Sequence, residues 1–326
     1  MVSKFWKGSA PLTATGLLML VVLSGTVIGL AVDPRIITGA PAWLKPAKFA
    51  ASIAIYTFTL AWIFSLIPEW RRTRRVVGWT TAVTLVLEIA LISLQAFRGT
   101  TSHFNFATLF DGVVFTIMGA AILVQTFSTV AVAVALWRQK FVDRALGWAL
   151  RLGMTMTIVG ALTGGLMTRP TSHQLDTARA GERMTVVGAH TVGGPDGGPG
   201  LPGTGWSTDH GDLRVAHFLG LHALQALPIL ALVLARRRVS DLVRLRLTIM
   251  GAASYMTLFA ILLSQALRAQ PVLAPDALTI ALLSVWVFAT AAGAVVSAAV
   301  VKPCRKTAPG FDYSPDAGRT RPARSI

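Results

Sequence analysis

The stretch TLVLEIALISLQAFRG, Thr84–Gly99, decides how this chain is read. It is apolar apart from two hydroxyl residues and one carboxylate, Glu88, and it ends on Gln95 and Arg98. Widened to 76–97, the run has the ~20 residues needed to cross a hydrocarbon core of about 30 Å. Runs of the same kind recur at 11–32, 48–67, 111–137, 146–167, 215–235, 247–267 and 277–301. The chain is therefore expected to be an all-α integral membrane protein with eight transmembrane helices.

Composition agrees. Over 326 residues the chain is 53% hydrophobic and 13% charged, with mean hydropathy +0.61. A soluble domain has about a quarter of its residues charged, so lipid must solvate most of this surface. The net charge of +16 sits in short clusters between apolar runs, not on a soluble basic face. That placement excludes nucleic acid as a partner and makes the lipid bilayer the expected surroundings. Cys304 is the one cysteine, which excludes an internal disulfide and any multi-thiolate metal site. KFWK (4–7) precedes the first run, but that run exceeds the ~7–15 apolar residues of a signal peptide and lacks a small-x-small cleavage site. It reads as an uncleaved anchor.

Basic residues set the expected orientation. Of the 30 Lys and Arg, 20 fall in the N-terminal segment, the C-terminal tail and the loops on their side. The opposite loops hold nine, and Arg151 lies just inside the fifth run. By the positive-inside rule both termini are expected in the cytoplasm of a multi-pass cell-membrane protein. The one long loop, 168–214, then faces outward. Its stretch VGGPDGGPGLPGTGWSTDHGD (192–212) is too rich in Gly and Pro to predict regular structure. Trp206 and the acidic residues favour a lid over a linker. The tail 307–326 reads as a disordered cytoplasmic segment.

Two segments echo two others. LQAFRG (94–99) closes the third run and SQALRA (264–269) the seventh, while PAKFAASIAIY opens the second and RVAHFLGLHAL the sixth. Lys48 thus aligns with His217, Gln95 with Gln265, Arg98 with Arg268, and Asp111 and Asp276 each open the next run. Two four-helix halves are predicted, 1–145 and 146–306, lying parallel because each has an even number of spans.

Ionisable groups inside a span cost a few kcal/mol and mark function. At 100° per residue Thr81, Thr84, Glu88 and Gln95 fall within about 60° of one another, a stripe expected to face the bundle interior. Glu88 is the candidate proton-handling catalytic group. In VAHFLGLHALQALP (215–228), His217 and His222 lie about 140° apart, so they cannot chelate one ion as i, i+4 neighbours do. Gln225 lies between them, and Pro228 follows where a kink would open a cavity. All six histidines fall on the outer side. The expectation is an outward-facing polar cavity, floored by Glu88 and roofed by the long loop. Its candidate cofactor-binding residues are His103, His217, His222, Arg98, Gln95, Gln225 and Gln265.

Imidazoles between facing helices suit haem b, with His217 or His222 opposite His103. His103, His222 and Glu88 would make a three-ligand zinc site. Arg98 suits an anion, and the whole set suits a quinone, isoprenoid or lipid headgroup. No Walker or dinucleotide motif is present, against ATP or NAD.

This layout resembles heme A synthase in its eight spans, cytoplasmic termini, two four-helix halves and histidine early in the sixth span after a long outer loop. The resemblance implies a haem-binding redox enzyme with His217 at a family histidine position; Lys48 stands at the matching place in the first half. Three functions are thus carried forward: a haem- or metal-binding redox protein or enzyme; a non-enzymatic transporter or accessory subunit; and a zinc-dependent membrane hydrolase.

Overall fold

A computed structural model describes residues 2–299. Cys304, the last residues of the eighth expected span and the expected tail at 307–326 lie outside the described residues. Eight long helices appear where the apolar runs predict them: α2 (Ala10–Val32), α3 (Leu44–Ser65), α4 (Arg71–Phe97), α5 (Leu109–Arg138), α6 (Arg144–Met167), α8 (Leu213–Ala235), α9 (Asp241–Leu267) and α10 (Ala277–Ala299). All are long and apolar enough to cross a membrane. Sequence reading missed two short helices, α1 (Val2–Gly8) and α7 (Ser172–Arg179), because neither has the length of a span.

Large apolar side chains cover the outside. Val21, Phe127 and Phe288 are 70%, 73% and 75% exposed. Water would penalise such a surface, whereas lipid does not, and every backbone polar group within a helix is satisfied locally. The interior is instead rich in small and hydroxyl residues, which let helix backbones approach closely. One such close crossing pairs α6 with α8: a Cβ built on Gly220 would stand 2.4 Å from the Gly160 Cα. α8 continues through Pro228, which is buried.

The first four and the last four long helices have the same neighbour pattern. The first span packs on the second and third, the second on the third, and the third on the fourth, while α5 against α6 joins the halves. The echoed residues do the same work in each. Arg98 caps α4 and bonds Asp111 Oδ1 at 2.5 Å; Arg268 caps α9 and pairs with Asp276. Gln95 reinforces the first clamp by donating to Asp111 Oδ1 at 2.9 Å. Each clamp ties the end of one span to the start of the next.

The residue after each arginine turns left-handed, Gly99 at φ +75° and Ala269 at φ +59°. Alanine there costs roughly 1–2 kcal/mol because its Cβ crowds the following carbonyl. Ala269→Gly is therefore expected to raise stability by up to ~1 kcal/mol. A thermal midpoint in detergent at or below that of the native protein would contradict this.

The long loop is folded rather than loose. Its strands β3 (Thr191–Val192) and β4 (Gly211–Asp212) pair antiparallel, so the segment expected to lack regular structure contains a short ladder. A second small hairpin, β1 (Ile36–Ile37) with β2 (Ala40–Pro41), joins α2 to α3. The long loop reaches it at Gly39, where a Cβ would stand 2.7 Å from the Gly197 carbonyl oxygen. It also receives the amide of Phe106 at the Thr185 oxygen (2.8 Å) and gives the amide of Val187 to the Phe104 oxygen (2.9 Å). Lys48 Nζ donates to the Thr204 oxygen at 2.9 Å. These contacts fasten the long loop, as a lid, to the α2–α3 and α4–α5 connections and to the start of α3.

Candidate functional site

Glu88 lies in α4 beneath this lid and is 1% exposed. The whole expected stripe is buried, since Thr81, Thr84 and Gln95 are 0%, 8% and 0% exposed. Its ends are occupied by protein. Thr84 Oγ1 donates to Gln125 Oε1 at 3.1 Å, and Gln125 Nε2 donates to Tyr56 Oη at 3.2 Å, tying α4, α5 and α3 together. At the lid end Gln95 and Arg98 converge on Asp111, as described. Between them stands Glu88, whose Oε2 is buried without a hydrogen-bond partner.

The loop 98–108 carries His103 to this carboxylate, with Nε2 3.7 Å from Glu88 Oε1. That is too long for a hydrogen bond. The ring is caged by Phe49, Phe104 and Phe115, with centroids 5.9, 6.1 and 6.1 Å away, and Ser102 Oγ lies 3.0 Å from Nδ1. Phe104 holds a left-handed backbone, φ +62°. A bulky residue there marks strain that the surrounding contacts must support. Lys45, in the first turn of α3, acts electrostatically on both Glu88 and His103.

His190 and Asp196 in the lid complete the cluster. Asp196 Oδ2 lies 2.9 Å from His190 Nδ1, and its oxygens also accept the amides of His190 and Thr191. The His190 ring packs edge-on against Phe104 at 4.9 Å. Burial pushes Asp196 up, but the bonds from His190 and Thr191 outweigh it and hold its carboxyl well below the usual range. His190 is pushed down by burial, partly offset by Asp196. His103 is held well below its ordinary value, first by burial and then by Lys45 and His190.

Both histidines therefore bind fewer protons folded than unfolded near pH 6. Their contribution is present above the unfolded imidazole pKa of about 6.5 and is lost as pH falls below it. The thermal midpoint is expected to drop between pH 7.5 and 5. The double variant His103→Gln, His190→Gln should make that slope shallower; an unchanged slope would contradict the assignment.

The other expected site residues are dispersed. His217 sits at the α6–α8 crossing, with Nδ1 2.7 Å from the Gly160 oxygen and 3.2 Å from Thr163 Oγ1. His222 is exposed on the outer face of α8, away from Glu88. Gln225 donates to Thr59 Oγ1 at 3.3 Å, leaving its own carbonyl oxygen buried without a partner. Gln265 donates to the Pro271 oxygen at 2.7 Å beside the second clamp. The structure thus joins Glu88 to His103, and gathers Gln95 and Arg98 into an ion-pair clamp beside them.

The zinc set His103, His222 and Glu88 does not assemble. Among the described residues, no three His, Cys, Asp or Glu side chains come together as a metal-binding group. Sequence reasoning missed Lys45, which was only one charge among the outer loops, and the His190–Asp196 pair, which forms through loop folding. No protein-family model, curated protein or solved structure matches the chain.

Proposed function

We propose that the protein is a multi-pass membrane protein that binds the polar head of a small membrane-derived molecule beneath an outward-facing lid. It exchanges a proton with that molecule through Glu88 and His103. The observation that carries this reading is the orphaned Glu88 Oε2, buried beside an imidazole that it does not yet hydrogen-bond. A buried unsatisfied carboxylate oxygen costs a few kcal/mol, and such a cost is characteristically kept where a group must change partner or protonation state. Neutral His103 can accept a proton at one ring nitrogen or donate from the other. Lys45 supplies a hydrogen-bond donor for an anionic or carbonyl head. In this reading both termini are cytoplasmic, the membrane is the cell membrane, and the halves are parallel repeats.

Calorimetry with decylubiquinone, farnesyl phosphate and phosphatidylglycerol as probes tests it. At least one should bind with a heat that depends on the ionisation enthalpy of the buffer, which reports proton exchange. Glu88→Gln should remove that dependence. Binding of all three with no proton exchange would overturn the reading and leave a passive transporter or accessory subunit.

A haem-binding redox protein is the second reading, favoured by His217. Its Nδ1 rests on the Gly160 carbonyl. This is the outer hydrogen bond that fixes an imidazole tautomer and leaves Nε2 free as a ligand. His217 would hold haem b, with Lys45 and Lys48 answering its carboxylates, and the group would supply electron transfer. Likeness to the heme A synthases belongs to this reading. Purified protein should then show a Soret band that His217→Ala abolishes, and a colourless folded protein would remove this reading alone.

A further inference from the structure

On the bilayer-facing side of α5, the first turns of the helix and the lid segment 183–187 enclose a groove of about 580 Å³. That volume lies within the range of about 300–1,000 Å³ typical of small-molecule sites. It is lined by the apolar side chains of Val113, Ile117, Met184 and Val187, together with Arg183 and with Thr108, whose hydroxyl is committed to Asp111. The opening is sideways into lipid, since Val113 and Ile117 are 48% and 43% exposed.

Arg183 bonds only the Phe106 carbonyl oxygen, at 3.2 Å, and has no carboxylate within ion-pair reach among the described residues. The cation expected from sequence to meet an anion, Arg98, is committed to Asp111, whereas Arg183 stands exposed at the groove without a carboxylate partner. A cation at the interface above an apolar slot matches the chemistry of an anionic lipid.

We infer that this groove binds one anionic phospholipid from the lid-side leaflet, its phosphate on Arg183 and one acyl chain along Val113 and Ile117. The site is separate from Glu88 and does not depend on proton exchange there. Phe106 packs on Phe115 at 5.6 Å, and Phe115 faces His103 at 6.1 Å, so two rings divide the groove from the buried pair.

Native mass spectrometry of the full chain in detergent tests this with phosphatidylglycerol and phosphatidylcholine of identical chains. One phosphatidylglycerol should be retained, at least tenfold more tightly than phosphatidylcholine. Arg183→Gln should erase that preference, and Val113→Trp should weaken both lipids about tenfold while the thermal midpoint is kept. If Val113→Trp lowers the midpoint, Ile117→Trp takes its place. Equal retention of the two lipids, or filled-groove variants that bind as before, would overturn the inference. So would a dimer that the tryptophan disrupts, because the groove would then be a protein interface.

Discussion

Gly160→Leu is expected to separate α6 from α8 and lower stability by more than about 3 kcal/mol. Backbone sets this magnitude. A Cβ on Gly160 would meet the Gly220 Cα at 2.6 Å and the Leu221 nitrogen at 2.7 Å, and neither can rotate away as a side chain would. The same shift would pull the Gly160 carbonyl from His217, so loss of packing and loss of a polar bond arrive together. Gly119 is a matched control on a lipid-facing surface, where an added Cβ meets nothing within 4 Å. Gly119→Leu should leave the thermal midpoint in detergent close to native. Equal behaviour of the two variants would show that the crossing does not need glycine.

Asp111→Ala is expected to cost about 2–4 kcal/mol, below the most severe cases of a broken buried ion pair because Arg98 retains some access to solvent. Asp111 is 4% exposed at its side chain, accepts from Arg98 and Gln95, and receives Thr108 Oγ1 at 2.6 Å. Removing it orphans a guanidinium and an amide together. The equivalent Asp276→Ala should cost less, since Asp276 and Arg268 are 33% and 30% exposed and Gln265 bonds elsewhere. Midpoints in the opposite order would contradict the account of the two clamps. Asp111→Asn should recover part of the loss by keeping an acceptor for Gln95 and Arg98.

These clamps show what the sequence could and could not reveal. The echo LQAFRG/SQALRA located both, because a span must end at a fixed depth and the same residues end it twice. Its chemistry was less legible: Gln95 and Arg98 looked like ligand groups, yet their partner lies 13 residues after Arg98, at the start of the next helix. Helix positions followed directly from apolar length, since lipid leaves a spanning backbone no alternative to internal hydrogen bonds. Side-chain direction on α8 did not. His222 and His217 occupy one segment, and only the packing against α6 shows that one is engaged and the other faces out. The Gly-rich lid carried no periodic signal. Its order comes from single contacts, such as Asp196 gathering His190 and Thr191, that depend on the whole chain being folded. Glu88 alone was legible throughout, because a carboxylate amid apolar residues needs a reason wherever the helix turns.

Infrared pH titration of the purified protein tests the Glu88–His103 pair most directly. The account predicts a protonated-carboxyl absorption that changes with pH, vanishes in Glu88→Gln and shifts in frequency in His103→Gln, because the imidazole Nε2 stands 3.7 Å from the carboxylate. A Glu88→Gln spectrum identical to the native one across the whole pH range would contradict it.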